Sequence, residues 1–466
     1  MSSIDSSGLS DIIFISESIR EQYGSEFRDR IVKSIYNRAD EVAKKVVKNN
    51  SEKKKDVDKK IDDILTSKAF GIPLMLLLLA VVFWITLVGA NYPSELIGKF
   101  LFWIQDRLTD LFMNMGAPSW LHGVIVLGFY RTLAWVVSVM LPPMAIFFPI
   151  FTLLEDLGYL PRIAFNLDHL FKKACAHGKQ ALTMCMGFGC NAAGVIACRI
   201  IESPRERLIA ILTNNFVPCN GRFPTLIAIA SIFIGGAAAS AYGSVIASLA
   251  VVGLVILGIA ITLLVSYLLS KTLLKGVPSF FILELPPYRK PQIGRIIYTS
   301  IIDRTIFVLG RAVAVAAPAG ALTYILGNIY INGMSIIAHA AHFLQPLGHA
   351  LGMDGFILMA FILGFPANEI VLPILIMSYL SAGSMVDFSG LDMLKKILVD
   401  HGWTYLTALN VMLFSLLHFP CGTTIWTIKK ETGSLKWTVL SAIIPTIVAV
   451  IVCFIVTQVA RMFGFA

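Results

Sequence analysis

Charged residues are scarce in this chain of 466 residues. Asp, Glu, Lys and Arg make up 14% of it, whereas hydrophobic residues make up 56%, and the mean hydropathy is +0.76. So little charge excludes an ordinary soluble domain, in which about 25% of the residues are charged. Several apolar runs approach the roughly 20 residues that a helix needs to cross a bilayer. The sequence therefore predicts an all-α polytopic membrane protein.

The sequence also lacks the cysteine spacings of a disulfide framework or a zinc finger. Its seven cysteines include no CxxC pair and no Cys/His finger spacing, so neither a secreted disulfide scaffold nor a zinc ribbon is indicated. The cysteines lie in or beside apolar segments, where most membrane cysteines are small packing residues. Three of them occur in recurring motifs that packing alone does not explain.

No signal peptide is recognisable at the N-terminus, because residues 1–67 have no apolar core of the signal type. They carry mixed charge, including "SEKKKDVDKK", and we expect residues 1–68 to be a charged helical arm in the cytoplasm. The formal net charge is +9. Outside the arm, the Lys and Arg residues lie mainly between apolar runs, as in cytoplasmic loops. We therefore expect no nucleic-acid partner.

The charge pattern predicts the order of the membrane segments. Residues 69–119 should hold a first transmembrane helix that starts in the cytoplasm, followed by an amphipathic interfacial helix on the outer side. Residues 327–352 contain no Lys or Arg, which is typical of an outer loop. Further spans are predicted over residues 120–154, 208–234, 244–269 and 306–326, with a basic cytoplasmic linker over residues 271–304.

One segment, "TMCMGFGCNAAGVIACR", combines two helix-weakening glycines with a thiol and an amide. Lys179 and Arg199 flank only 19 residues here, and the charge rule places both on the inner side. A re-entrant hairpin with "GFGCN" at its tip fits this spacing better than a full span does. Non-helical backbone at membrane depth is tolerated only where protein or a polar cavity satisfies it. The tip is therefore expected to line a cavity.

Three motifs recur in the same order along the chain. An arginine at position 131, "GFGCN" at 187–191 and "VPC" at 217–219 have counterparts in an arginine at position 311, "GFPAN" at 364–368 and "FPC" at 419–421. The arginine precedes the asparagine by 60 residues in the first copy and by 57 in the second. This agreement predicts two Gate-type repeats with re-entrant or broken helices, one over residues 120–270 and one over residues 305–466 with the C-terminal transmembrane helix.

The two copies should have opposite orientations in the membrane. The first begins with an inward span and the second with an outward span, so the second hairpin should dip from outside and "KKETGSLK" should face the cytosol. Such inverted repeats are typical of transporters, which bind substrate near the bilayer midplane where broken helices meet. The alternative is that residues 355–380 span fully, which would place Lys429, Lys430 and Lys436 outside.

Polar and ionisable side chains occur at the repeat motifs. The candidates for metal ligands are Cys190, Asn191, Cys219, Asn368, Glu369, His418 and Cys421. Thiolate, imidazole, carboxylate and amide oxygen together suit a borderline divalent transition metal, whereas alkali and alkaline-earth ions favour oxygen alone. The alternative interpretation is that these small and polar residues serve close helix packing, with asparagines hydrogen-bonding between helices.

These motifs resemble a known family. "LLEDLGYLPR", "GFGCNAAGVIACR", "FVPCNGRFP", "LGFPANEIVLP" and "FPCGTTIWTIKKETGSLKW" are similar to the membrane domain of ferrous iron transport protein B, including both of its Gate repeats, from about residue 61 to the C-terminus. The resemblance implies a multi-pass Fe(II) permease surrounded by lipid in a bacterial or archaeal cytoplasmic membrane. Cys190, Cys219 and Cys421 match the family's motif cysteines. Fe(II) would be the transported substrate, with no permanently bound cofactor.

The sequence departs from that family at its N-terminus. The family normally carries a G domain, but no G-x-x-x-x-G-K-[ST] motif occurs here, and Gly98-Lys99 and Gly178-Lys179 lack the preceding glycine and the following hydroxyl. We therefore expect a transporter, not an enzyme. Its expected partners are a separate GTP-binding protein and a small accessory protein, and a homo-oligomer is compatible with the sequence.

Other functions remain open from the sequence. A Gate-family carrier could move another divalent metal or a nucleoside-like organic solute. A membrane hydrolase is a further alternative, although the chain has no HExxH motif and no arrangement of serine, histidine and acid stands out.

Overall fold

The computed structural model describes residues 15, 18, 27–46, 60–67, 70–236, 243–276, 288, 291–384 and 391–464. The chain divides into two units, Met1–Ile61 and Asp62–Ala466. In the first unit, helix α1 covers Phe27–Val46 and is exposed to solvent. Residues 1–14 and 47–59 of the predicted arm lie outside the described residues, as do residues 277–287 of the predicted linker.

The second unit is built almost entirely of helices in its described residues. The α-helices of its first half are α2 (Gly71–Asn114), α3 (Ser119–His122), α4 (Arg131–Asp156), α5 (Tyr159–Lys173), α6 (Gln180–Gly189), α7 (Asn191–Ala197), α8 (Pro204–Thr213), α9 (Phe223–Ile229) and α10 (Gly243–Lys271). Those of its second half are α11 (Ile293–Tyr298), α12 (Phe307–Asn328), α13 (Ile336–Ala350), α14 (Gly355–Leu363), α15 (Val371–Tyr379), α16 (Leu391–Asp400), α17 (Tyr405–Leu417), α18 (Gly422–Thr432) and α19 (Leu435–Met462).

Shorter elements complete the second unit. Wider π-helical turns cover Gly123–Tyr130, Ala230–Gly235 and Thr299–Ile306, and tighter 3-10 turns cover Cys198–Ile200, Asn214–Phe216 and Asn368–Ile370. A small antiparallel hairpin pairs β1 (Tyr330–Ile331) with β2 (Met334–Ser335). This hairpin lies in the segment predicted to be an outer loop.

Six helical stretches in the described residues are long and apolar enough to cross a membrane. They are Gly71–Asn114, Ser119–Asp156, Ile246–Lys271, Ile293–Asn328, Tyr405–Thr432 and Leu435–Met462. A seventh is counted if the pair Ile336–Ala350 and Gly355–Leu363, bent by 113°, is one broken span. The predicted all-α polytopic membrane architecture is confirmed.

Helix α2 differs from its predicted form. The sequence predicted a transmembrane helix and then a separate interfacial helix, but one helix of 44 residues continues through Pro93. An internal proline removes one backbone donor and need not end a helix that packs well elsewhere, and α2 packs along α4. At 1.5 Å per residue the helix is about 66 Å long, about twice the hydrocarbon thickness of a bilayer. Only about half of α2 can therefore span the membrane.

The two predicted hairpins have the same bend. In the first, α6 ends at Gly189 and α7 begins at Asn191, with Cys190 between them in an extended conformation (φ −156°, ψ 126°). In the second, α14 is followed by Ala367 in nearly the same conformation (φ −151°, ψ 123°), before a 3-10 turn and α15. Ala367 and Cys190 occupy the same position in "GFPAN" and "GFGCN". Both sequences thus interrupt a helix just before an asparagine.

Each Pro-Cys motif also breaks a helical stretch. Pro218 and Cys219 lie between the 3-10 turn that follows α8 and the start of α9, and Pro420 and Cys421 lie between α17 and α18. Proline cannot donate the hydrogen bond that would continue the preceding helix. The span predicted over residues 208–234 and the apolar stretch Tyr405–Thr432 are therefore broken near their middles.

The two repeats pack closely against each other through glycines. A Cβ atom added at Gly320 on α12 would overlap the hydroxyl of Thr132 and lie 2.6 Å from the carbonyl oxygen of Gly128. A Cβ atom at Gly128 would lie 2.9 Å from the Cα atom of Ala321. Small residues allow helix backbones to approach closely in membranes. This crossing holds the first spans of the two repeats together.

A buried arginine fixes the segment that leads into α2. The side chain of Arg162, on α5, is only 2% exposed and donates from Nε to Asp62 Oδ1 over 2.9 Å. The hydroxyl of Tyr288 donates to the same carboxylate oxygen over 2.7 Å. Partial burial raises the pKa of Asp62, but the hydrogen bonds from Arg162 and Tyr288 lower that pKa more, so it lies below its usual value. This cluster ties Asp62, α5 and one residue of the linker together.

Candidate metal site

A small cavity lies where the four helix breaks meet. Its volume is about 20 Å³, enough for about one water molecule or one small ion. Its wall consists of Met140, Gly189, Cys190, Asn191, Cys219, Gly221, Val308, Ala312, Pro366, Ala367, Asn368, Glu369, Cys421, Thr423 and Thr424. Six of the seven candidate residues are in this wall, and they come from both repeats.

Two of the three glycines in the first hairpin, Gly187 and Gly194, make room for one asparagine side chain. A Cβ atom at Gly194 would lie 2.5 Å from Asn214 Nδ2 and 2.9 Å from the carbonyl oxygen of Thr183 on the other arm. A Cβ atom at Gly187 would lie 3.1 Å from Asn214 Oδ1. Asn214 Nδ2 also donates to the carbonyl oxygen of Asn191 over 3.2 Å. The glycines thus let a buried amide fill the space between the arms and satisfy the backbone at the tip.

Residues of the second hairpin dock on the first Pro-Cys break. The amide nitrogen of Asn368 lies 3.9 Å from Cys219 Sγ, and the carboxylate of Glu369 packs against Gly221, where an added Cβ atom would overlap it. Glu369 is 8% exposed. The carboxylate of Glu369 therefore fits into the cavity wall because residue 221 is a glycine.

The second Pro-Cys break brings hydroxyl groups as well as a thiol. Cys421 Sγ lies 3.3 Å from Thr424 Oγ1, and the backbone N–H of Gly422 donates to the carbonyl oxygen of Phe365 over 2.7 Å. Thr423 Oγ1 and Asn368 Oδ1 are buried and have no hydrogen-bond partner among the described residues. Two unpartnered oxygens in one cavity wall suit a bound cation or water. Sequence reasoning missed both threonines, although "PCGTT" places them in the first turn after the break.

His418 does not line the cavity. Its ring packs among Phe361, Phe414 and Phe419 at centroid distances of 4.9, 5.7 and 4.9 Å. Its Nδ1 lies 3.0 Å from the carbonyl oxygens of Phe414 and Ser415, so it is the donor there. The sequence predicted that His418 lies one helical turn before Cys421, but the chain is extended at His418 (ψ 176°). The two side chains therefore do not share a helix face.

A third residue missed by sequence reasoning is Arg222, which is 0% exposed. Its guanidinium donates to Asn215, whose own amide nitrogen donates to the carbonyl oxygen of His418 over 2.6 Å. Asn215 Oδ1 also accepts from Asn191 Nδ2 over 3.4 Å. The signal was present in the sequence, because a charged side chain within an apolar span marks a functional site by default.

The cavity is not a closed metal cage in this conformation. In the described part of the chain, no group of three or more His, Cys, Asp or Glu side chains is arranged to hold a metal ion. The wall does supply three thiols, one carboxylate and the two unpartnered oxygens noted above. This donor set suits a borderline divalent ion, and its members come from separate helix breaks.

Two family models match parts of the chain. A family model described as Gate, nucleoside recognition, matches residues 137–233, within the predicted first repeat. A second model, described as ferrous iron transport protein B C terminus, matches residues 251–303. The chain is thus similar to ferrous iron transport protein B in its membrane part. No solved structure matches it significantly.

Curated relatives of the chain are named Fe(2+) transporters. One from Staphylococcus aureus (strain MSSA476) is 30% identical over 430 residues, which are 90% of this chain and 61% of the relative. One from Methanocaldococcus jannaschii is 29% identical over 461 residues, 96% of this chain and 65% of the relative. A Porphyromonas gingivalis relative is named a fusion of Fe(2+) transport protein A with Fe(2+) transporter FeoB, and is 28% identical over 465 residues, 90% of this chain and 53% of the relative. The chain spans about two thirds or less of the length of these relatives.

Proposed function

We propose that the chain transports Fe(II) across a cytoplasmic membrane and that the ion passes through the cavity between the repeats. The observation that carries this proposal is the convergence of three thiols, a carboxylate and two unpartnered oxygens on a cavity sized for one ion. The Fe(2+) transporter names of the relatives support the same substrate.

The donor chemistry is suited to transient binding. Fe(II) accepts sulfur, nitrogen and oxygen ligands, whereas Mg²⁺ and Ca²⁺ prefer oxygen. A thiol must lose its proton to bind well, so loading is expected to release protons and to weaken at low pH. The ligands are on separate helix breaks, and small movements of the repeats would change the distances between them. Such a site can gather an ion and release it, as a transporter must.

The size of the cavity argues against the organic-solute alternative. Sites for drug-sized ligands occupy about 300–1,000 Å³, whereas this cavity holds about 20 Å³. The name of the Gate family model is the main argument for a nucleoside-like substrate. A competition arm with adenosine in the uptake assay tests it directly.

The expected topology and partners follow from the same proposal. We place the N-terminus and residues 271–304 in the cytoplasm, with the two repeats inverted relative to each other. A separate GTP-binding protein would supply energy or gating from that side. The fusion found in the Porphyromonas gingivalis relative supports a small accessory protein as a second partner.

The decisive experiment is uptake of radiolabelled Fe(II) into liposomes that contain the purified chain, with a co-purified G protein present or absent. We expect uptake above that of empty liposomes, competition by Mn(II) or Co(II), and no competition by adenosine. Adenosine uptake with no Fe(II) uptake would replace the proposal with the organic-solute alternative. No uptake of either substrate in both G-protein conditions would remove the proposal for this chain.

A further inference from the structure

Arg222 binds the backbone of the opposite repeat. Its Nη1 donates to the carbonyl oxygens of Asn215 and Leu416, both over 2.8 Å. Its Nη2 donates to Asn215 Oδ1 over 3.1 Å, to the carbonyl oxygen of His418 over 3.1 Å and to that of Phe419 over 3.2 Å. Three of these five acceptors are main-chain oxygens of the second repeat. In the part of the chain that is described, Arg222 forms no ion pair with a carboxylate.

The acceptors are oxygens that the second helix break leaves without helical partners. In an uninterrupted helix, the carbonyl oxygen of Leu416 would accept from the residue four positions later, but that residue is Pro420, which has no N–H. The carbonyl groups of His418 and Phe419 lie in the extended segment between α17 and α18. Without Arg222, three carbonyl oxygens would be buried beside Cys421 with fewer partners.

Unwound carbonyl oxygens at a broken membrane helix are a common site for alkali and alkaline-earth cations. Here a guanidinium, which stays positively charged at any physiological pH, occupies these oxygens. It lies three residues after Cys219. The first repeat therefore supplies a fixed cation to the oxygen site of the second repeat.

We propose that Arg222 is a specificity-determining residue that keeps hard cations out of the pathway. Its guanidinium satisfies the oxygen ligands that Ca²⁺ or K⁺ would use, and its charge repels any cation that thiolates do not attract. Ions that bind sulfur retain their route past the three thiols. This inference rests on the proposed transport function and assigns its selectivity to a residue outside the cavity wall.

The test compares uptake of radiolabelled Ca²⁺, Rb⁺ and Fe(II) by liposomes that contain the full chain. Arg222→Gln removes the charge and most of the donors, so Ca²⁺ or Rb⁺ uptake should rise several-fold over wild type. Arg222→Lys keeps the positive charge, but its three N–H donors cannot replace all five hydrogen bonds of the guanidinium. Its uptake of Ca²⁺ or Rb⁺ should therefore lie between that of wild type and that of Arg222→Gln. Arg162→Gln removes another buried arginine, one that binds Asp62, and should leave Ca²⁺ and Rb⁺ excluded.

Arg162→Gln controls for a non-specific leak, because it also removes a buried arginine, one that binds Asp62. Equal exclusion of Ca²⁺ and Rb⁺ by wild type and folded Arg222→Gln would overturn the inference while leaving Fe(II) transport intact. If Arg222→Gln fails to accumulate in the membrane, the test depends on Arg222→Lys. In that case, the inference is overturned if Arg222→Lys excludes Ca²⁺ and Rb⁺ as well as wild type does. An equal leak in Arg162→Gln would also overturn it. Absence of Fe(II) uptake in wild type would instead count against the proposed function.

Discussion

The side-chain nitrogen of Asn368 lies 3.9 Å from the sulfur of Cys219. The two residues are 149 positions apart and belong to different repeats, so the cavity wall is complete only when the repeats are together. A movement of one repeat against the other would change the distance between these side chains, and with it the coordination of any ion bound between them. The contact therefore links the position of the second hairpin to the chemistry of the first break.

The three cavity thiols should each be needed for transport. Cys190→Ser, Cys219→Ser and Cys421→Ser are expected to lower Fe(II) uptake several-fold at unchanged membrane abundance, because serine nearly keeps the volume but lacks a soft donor. Liposome uptake and quantitative blotting check this. Cys175→Ser and Cys453→Ser serve as controls, since neither residue lines the cavity. Normal transport by all three cavity variants would refute the thiol assignment.

Gly221 should be intolerant of any side chain. Because an added Cβ atom would overlap the carboxylate of Glu369, Gly221→Ala is expected to displace that carboxylate and to reduce Fe(II) uptake as strongly as Glu369→Gln. The double variant should be no worse than either single one, since residues that act through one contact are not additive. Additive losses in the uptake assay would mean that the two residues act separately.

The glycine crossing between the repeats gives a matched pair of variants on one helix. Gly320→Ala forces a Cβ atom against Thr132 and Gly128 and should destabilise the fold by about 1–3 kcal/mol. Gly310→Ala, also on α12, meets no atom within 4 Å and should leave stability unchanged or raise it by up to about 1 kcal/mol. Thermal unfolding in detergent measures both, and similar shifts for the two variants would disprove the close crossing.

An ion pair joins the repeats at the base of the first hairpin. Arg199 donates from Nε and Nη2 to the two carboxylate oxygens of Glu431, each over 2.7 Å. Arg199 is largely exposed, so a double-mutant cycle should give a coupling of about 0.5–1 kcal/mol, which high salt reduces. Arg199→Glu should accordingly lower stability, and Glu431→Arg in the same chain should restore it. No recovery in the charge-swapped protein would show that the pair is not coupled.

The orientation of the repeats can be tested by labelling. Single cysteines introduced at Asn332 and Lys275, in a background where the native cysteines are replaced by serine, should react with an impermeant maleimide from opposite sides. Asn332, between β1 and β2, should react in intact cells, and Lys275 only after permeabilisation. Both residues are exposed, so burial does not explain a failure to react. Labelling from the same side would refute the inverted arrangement.

The bends of this fold could be predicted because they are encoded locally. Glycines and the extended Cys190 interrupt the first hairpin, and Pro218 and Pro420 interrupt the two broken spans, so the motif positions alone located the cavity. The failures have non-local or conformational causes. His418 was misplaced because a helical turn was assumed where the chain is extended. Arg222 was detectable as a charge within an apolar span, but its role was not, because three of its partners are main-chain oxygens about 195 residues away.

Cys190 and Ala367 have almost the same backbone conformation, yet only one of them has a thiol. The bend therefore does not depend on the sulfur, and the side chain at this position is free to change without loss of the hairpin. Two copies of a duplicated ancestor could thus diverge in chemistry while keeping one architecture. The asymmetry leaves three thiols in the cavity wall where perfect symmetry would give four, so the first repeat presents two of them and the second repeat presents one.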